Sequence, residues 1–214
     1  MSCNLAVSIM KAAITDERLK ALIDEHIDQV TSIVATYLHR RHPKLEVSPG
    51  LPGTGQLTVG EGLTLEIVQG TVSISGSRTS RTAQYMEDLS QEVSAFLKLV
   101  ADQLFTWQVE QALKASATVS SKQTSDVEND GAVQRATVYA IQVNGVRARV
   151  FVLPNGRAHV FVDTGTFVAA KAVTLQLLQQ IQARGLPLQM IGEVEQHRDD
   201  VSHVHVHQAQ QMGG

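Results

Sequence analysis

Hydrophobic and polar positions change period several times along this chain, and each change marks an element. Leu5, Val7 and Ile9 alternate with polar or small neighbours, which predicts a short strand. Thr15 then caps a helix whose first turn carries Asp16 and Glu17. Leu19, Leu22, Ile23, Ile27, Val30, Ile33, Val34, Tyr37 and Leu38 recur at spacings of three and four, which predicts one continuous helix with one apolar stripe, stopped by Pro43. Pro49, Gly50, Pro52, Gly53 and Gly55 mark a flexible turn. After it Leu57/Val59, Leu63/Leu65/Ile67 and Val72/Ile74 alternate as half-buried strands do, with Gln69-Gly70 as a hairpin turn. A second long helix starts near Ser80 and carries Tyr85, Met86, Leu89, Val93, Phe96, Leu97, Val100, Leu104 and Trp107 at helical spacing. The order over 1–114 is therefore β-α-β-β-β-α.

From 115 to 133 the chain is rich in Ser and Thr and shows neither period, so it reads as a linker. Beyond it the turns set the register. Asn144-Gly145 suits a two-residue hairpin turn, in which both residues need positive φ, and Pro154-Asn155-Gly156 suits a three-residue turn ending in a left-handed glycine. These lengths pair Val143 with Val146 and Leu153 with Arg157. One face of the resulting meander then holds Tyr139, Ile141, Val143, Val146, Ala148, Val150, Val152, Ala158, Val160 and Val162. That face is wholly apolar, which supports both turn assignments. A helix from Thr166 to Ala183 follows, with Phe167, Ala170, Thr174, Leu177, Leu178 and Ile181 toward the sheet and Gly185 as its stop. A strand over Leu188–Val194 completes a β-β-β-α-β domain at 134–196, and 197–214 forms a His-rich strand or tail. The fold class is α+β, in two small domains.

Composition narrows the function. The chain of 214 residues has 18 Lys+Arg against 21 Asp+Glu, a net charge of −3, so charge-driven binding to nucleic acid or a membrane surface must be local. With 43% hydrophobic and 18% charged residues it has the material for packed cores. The single cysteine, Cys3, excludes an intramolecular disulfide and any Cys-cluster metal site, and has no sequence neighbour that would activate it. No apolar run reaches the roughly 18 residues of a membrane span, and the polar N-terminal residues do not read as a signal peptide, so the expected compartment is cytoplasmic.

Three features carry candidate chemistry. The second face of the meander holds Arg147, Arg149, Phe151, Leu153, Arg157, His159 and Phe161. Interleaved cations and aromatics stack bases in single-strand nucleic-acid platforms, but no ribonucleoprotein motif or Lys cluster accompanies them, and an Arg/Phe/Leu surface is what protein interfaces favour. His203, His205 and His207 alternate along an extended segment, a spacing that lets imidazoles share a zinc or nickel ion; the plain alternative is an edge strand with polar residues outward. Gly213 and Gly214 end the chain, and this thin tail, after a hairpin, helix and strand, resembles ubiquitin-like modifiers and sulfur carriers, which an E1-like enzyme activates. The loop Gly50–Gly55 lacks the Lys-Ser/Thr of a phosphate-binding loop, and Ser77-Arg78-Thr79-Ser80-Arg81 reads as a helix cap that could hold a phosphate. No catalytic constellation is present, so the chain is read as non-catalytic and, the histidines apart, without a cofactor.

The stretch Leu153-Pro154-Asn155-Gly156-Arg157, with Val160 and Val162, Gly165 and a helix ending near Gly185, resembles a small bacterial family of unknown function with a Pro-Asp-Gly hairpin and one helix. That family is often encoded beside a second uncharacterised family, also found in chloroplast genomes, and an AAA+ ATPase. The first domain, with its Thr15-led helix, resembles the second family, which would make this chain a fusion of the two. Asn155 stands where the first family has Asp, and Ala169, Ala170 or Ala172 where its members carry a Cys. The resemblance implies an adaptor or assembly factor whose partner is an AAA+ ATPase, and implies no active-site residue.

Overall fold

The computed structural model describes residues 6–60, 62–76, 80–129, 131–164 and 166–197. It contains ten strands and four helices among those residues: β1 (Ala6–Ala13), α1 (Asp16–Glu25), α2 (Ile27–Arg41), β2 (Val47–Pro49), β3 (Gln56–Val59), β4 (Leu63–Val68), β5 (Thr71–Gly76), α3 (Ser80–Ser116), β6 (Thr118–Asn129), β7 (Ala132–Val143), β8 (Val146–Leu153), β9 (Arg157–Thr164), α4 (Phe167–Gln182) and β10 (Gln189–His197). The α+β class is as the sequence predicts. The chain forms two compact units, one from Asp16 to Leu104 and one from the residues up to Thr15 together with those from Phe105 on. The domain boundaries read from the sequence are therefore corrected in two places.

The first correction concerns β1. It pairs antiparallel with β9 on one side and β10 on the other, so the strand placed in the N-terminal domain by its position belongs to the C-terminal sheet. Met10 and Ala12 are fully buried there, and α4 packs across β1 and β9. The second concerns 115–133, which is no linker. Most of it is β6, a twelve-residue strand paired along its length with β7. Thr and Val favour extended backbone, and a strand at a sheet edge with solvent on most of its surface needs no apolar alternation. The six-stranded sheet runs β10-β1-β9-β8-β7-β6, and all its pairings are antiparallel.

Both turn assignments in the meander hold. Asn144 and Gly145 take φ of 50° and 82°, and Asn155 and Gly156 take 58° and 67°. Val143 pairs with Val146, and Leu153 with Arg157. The apolar face of the meander forms the core of this unit: Tyr139, Val150 and Val160 are fully buried beneath α4 and the C-terminal part of α3. Burying each such side chain contributes roughly 1.5–3 kcal/mol. Thr166 caps α4 by accepting the Ala169 amide at 3.2 Å, and Gly185, at φ 85°, follows its end.

The other unit carries a four-stranded antiparallel sheet, β2-β3-β4-β5, with α1, α2 and the N-terminal part of α3. Gln69 and Gly70 both take positive φ in the expected hairpin turn. The segment read as one helix ending at Pro43 is two. The backbone leaves helical geometry at His26, with φ −120° and ψ 28°. Each half is tied to a different loop: Asp24 of α1 accepts the Gln69 amide at 2.9 Å, and Asp28 of α2 accepts the Gly53 amide at 2.6 Å. Strand β2, which ends at the Pro49 read as the start of a turn, is a short edge strand, where a proline costs no ladder bond. Tyr37 of α2 stacks on Phe96 of α3 with centroids 3.9 Å apart.

Candidate interaction face

The alternation along β8 and β9 places Arg147, Arg149, Phe151, Leu153, Arg157, His159 and Phe161 on the sheet face opposite α4. Cross-strand pairing sets Arg149 opposite Phe161, Phe151 opposite His159 and Leu153 opposite Arg157. The face is not uniform. Leu153 and His159 are buried, at 2% and 8% exposure, whereas Arg147 and Arg149 are exposed.

Strand β6 explains the division. On this face Val127 of β6, beside the part of β7 that runs past the end of β8, packs with Ala136, Val138, Leu153 and Phe151 in a small apolar cluster. Leu153 is core, and Phe151 is partly so. The sequence placed both on an open surface because it treated the covering strand as a linker. At the other end the face stays open. A groove of about 510 Å³ is lined by Ser120, Ala140, Gln142, Arg147, Arg149 and Phe161, together with the backbone-adjacent Ile141 and Ala148. The Arg149 guanidinium lies 4.6 Å over the Phe161 ring, a cation–π contact that presents its charged edge to the groove. Among the described residues no acidic side chain lines this groove. Its lining combines two guanidinium groups with one aromatic ring.

Two ionic clusters emerge that the sequence analysis did not single out. On the helix-covered face, Glu110 of α3 accepts hydrogen bonds from Lys122 of β6 and, at 2.9 Å, from the Tyr139 hydroxyl of β7, and pairs with Lys114 at 2.7 Å. The bonds from Lys114 first, then Lys122 and Tyr139, outweigh the cost of burial and hold the Glu110 carboxyl at about 2. Burial, with Glu110 as acceptor, pushes the Tyr139 phenol well up. This cluster fastens β6 and β7 to α3. The helical spacing of Glu110 and Lys114 was visible in the sequence, but Lys122 lay in the supposed linker. In the other unit, Glu92 of α3 accepts from Tyr37 at 2.9 Å and lies 3.0 Å from His42 Nε2. Burial works to raise Glu92, yet the bonds from His42 and Tyr37 and the charges of His42 and Arg41 leave its carboxyl below the usual range. It ties the end of α2 to α3. A shallow pocket beside it is lined by Arg41, His42, Pro43, Lys44, Leu45 and Tyr85.

The remaining sequence candidates lie elsewhere. His203, His205, His207, Gly213 and Gly214 fall outside the described residues, as do Ser77, Arg78 and Thr79. Among the described residues there is no group of three or more His, Cys, Asp or Glu side chains that could hold a metal ion, and no helix long and apolar enough to cross a membrane. No protein-family profile, curated protein or solved structure matches this chain.

Proposed function

We propose that this protein is a non-catalytic interaction module, an adaptor or assembly factor, and that the open end of the β7–β8–β9 face receives an acidic segment of a protein partner. The observation that carries this reading is the groove itself, lined by exposed Arg147 and Arg149, the latter over the Phe161 ring, with no carboxylate in its lining among the described residues. Arginine and aromatic side chains are the groups that anchor protein interfaces, and bidentate guanidinium bonds suit carboxylates. The partner implied by the family resemblance is an AAA+ ATPase. Leu153, His159 and part of Phe151 are buried, so the binding determinants are Arg147, Arg149 and Phe161 rather than all seven residues.

The test is isolation of the protein from its native cells under mild conditions, beside an Arg147→Glu/Arg149→Glu variant, with identification of co-purifying species by mass spectrometry. A stoichiometric protein held by the wild type and lost from the variant, at an unchanged melting temperature, supports the reading. Equal recovery of that protein on both refutes it. An isopeptide remnant at Gly214 would move the function to the tail, as in a ubiquitin-like modifier.

A further inference from the structure

Strand β6 ends the six-stranded sheet, and at twelve residues it is the longest edge strand among the described residues. Proteins usually blunt such edges by making them short, by proline, by bulges or by charged side chains, and on β6 the charges alternate in sign, Lys122 with Asp126 and Glu128. The edge strand β2 follows that rule, with three residues that include Pro49. Strand β6 has twelve residues and no proline, and its irregularity lies at its start, between Val119 and Ser121. From Ser121 onward it is regular, with Gln123, Thr124 and Asp126 exposed.

We infer that this edge pairs with the same edge of a second copy of the chain, antiparallel and centred on Thr124. A two-fold axis normal to the sheet sets Thr124 opposite its own copy, Gln123 opposite Ser125, Lys122 opposite Asp126 and Ser121 opposite Val127. Both lysines then face an aspartate, and no like charges meet. Asp126 is exposed and forms no ion pair among the described residues, its neighbour across β7 being Arg135. The Lys122 ammonium, already on Glu110, keeps donors in reserve because it carries three. The pairing completes a charge ladder across the two copies: Arg135, Asp126, then Lys122 and Glu110 of the second copy. Charge also rejects two shifted registers: centring on residue 122 sets lysine against lysine, and centring on 126 sets aspartate against aspartate. Centring on 125 opposes Lys122 to Glu128 instead, and cysteine capture separates that register from the one centred on Thr124. The axis keeps the helices of both copies on one side and extends each sheet into the other, so both grooves open on the same surface. This inference concerns the sheet edge and stands apart from the function proposed for its face.

The test is disulfide capture in full-length protein carrying Cys3→Ser. Directly opposed residues of an antiparallel pair have Cα atoms about 4.5–5.5 Å apart, within disulfide reach. Thr124→Cys should form a covalent dimer under mild oxidation at least about tenfold faster than Val133→Cys, an exposed control on β7 that the proposed register does not oppose to itself, because pairing raises the local thiol concentration. Adding Asp126→Lys, which sets lysine against lysine, should remove that advantage and shift the parent protein from dimer to monomer in sedimentation velocity. Asp126→Glu should retain both. Thr124→Cys reacting no faster than Val133→Cys, faster capture through Ser125→Cys than through Thr124→Cys, or a dimer that survives Asp126→Lys would each overturn the inference. Melting curves check that the variants are folded.

Discussion

Replacing Glu110 by Gln tests the ionic anchor of the C-terminal unit. The carboxylate is mostly buried, at 14% side-chain exposure, and its hold near 2 against an ordinary 4.5 means that the folded state prefers it charged. At about 1.4 kcal/mol for each tenfold change in proton affinity, that difference sets a ceiling of about 3 kcal/mol. Lys114 and Lys122 are themselves half exposed, so solvent screening reduces this to about 1–2 kcal/mol. A depressed carboxyl contributes its full stabilisation above 4.5 and loses it as the pH falls from there through about 2. The single tryptophan, Trp107, lies in α3 within the same unit, so its fluorescence reports on unfolding there. Urea titrations of wild type and Glu110→Gln at a series of pH values should differ by about 1–2 kcal/mol at pH 7 and converge toward pH 2. A gap that stays constant between pH 7 and pH 2 would refute the account, because the stabilisation would then not depend on the carboxylate's charge.

Two further predictions separate packing from surface. A methyl group at Gly156 would meet Ile14 Cγ1 at 2.6 Å in a backbone with φ 67°, whereas at Gly145, φ 82°, it would meet nothing within 4 Å. Gly156→Ala should therefore cost roughly 2–4 kcal/mol and Gly145→Ala roughly 1–2 kcal/mol by thermal denaturation, and equal losses would contradict the contact. Leu153→Ala should cost roughly 2–5 kcal/mol, and Arg149→Ser no more than about 1 kcal/mol, although the two side chains share a sheet face. Similar urea midpoints for that pair would deny the division of the face into a dry and an open end.

What the sequence made legible was local. The hairpins at Gln69-Gly70 and Asn144-Gly145 and the turn at Asn155-Gly156 could be read because left-handed backbone restricts which residues occupy it, and each turn length then dictated the pairing. The apolar face of the meander followed from that register. Strand β6 was hidden because most of its side chains meet solvent, which erases the alternation that reveals a strand. The membership of β1 was hidden for a different reason: its own pattern predicts a strand correctly and says nothing about partners far along the chain. The first omission reached the site. Without β6 covering one end, Leu153 and Phe151 looked as open as Arg147 and Arg149, and Lys122 had no place in the cluster around Glu110. The break at His26 escaped notice because the apolar spacing continues across it.

The position of β1 also constrains how the molecule comes into being. The strands that flank it, β9 and β10, are among the last parts of the described chain to be synthesised. The unit from Asp16 to Leu104 is continuous in sequence and has its partners at hand much earlier. At about 5–20 residues per second, β1 waits on the order of ten seconds between leaving the ribosome and finding its slot. Through that interval Met10 and Ala12 lack their burial, and the strand has both edges open. The C-terminal sheet is thus assembled in a different order from its spatial one, its second strand made first but seated only once β9 exists, with β10 closing on it afterwards, and nascent chains stalled before β9 would carry a folded insert behind an unsatisfied strand.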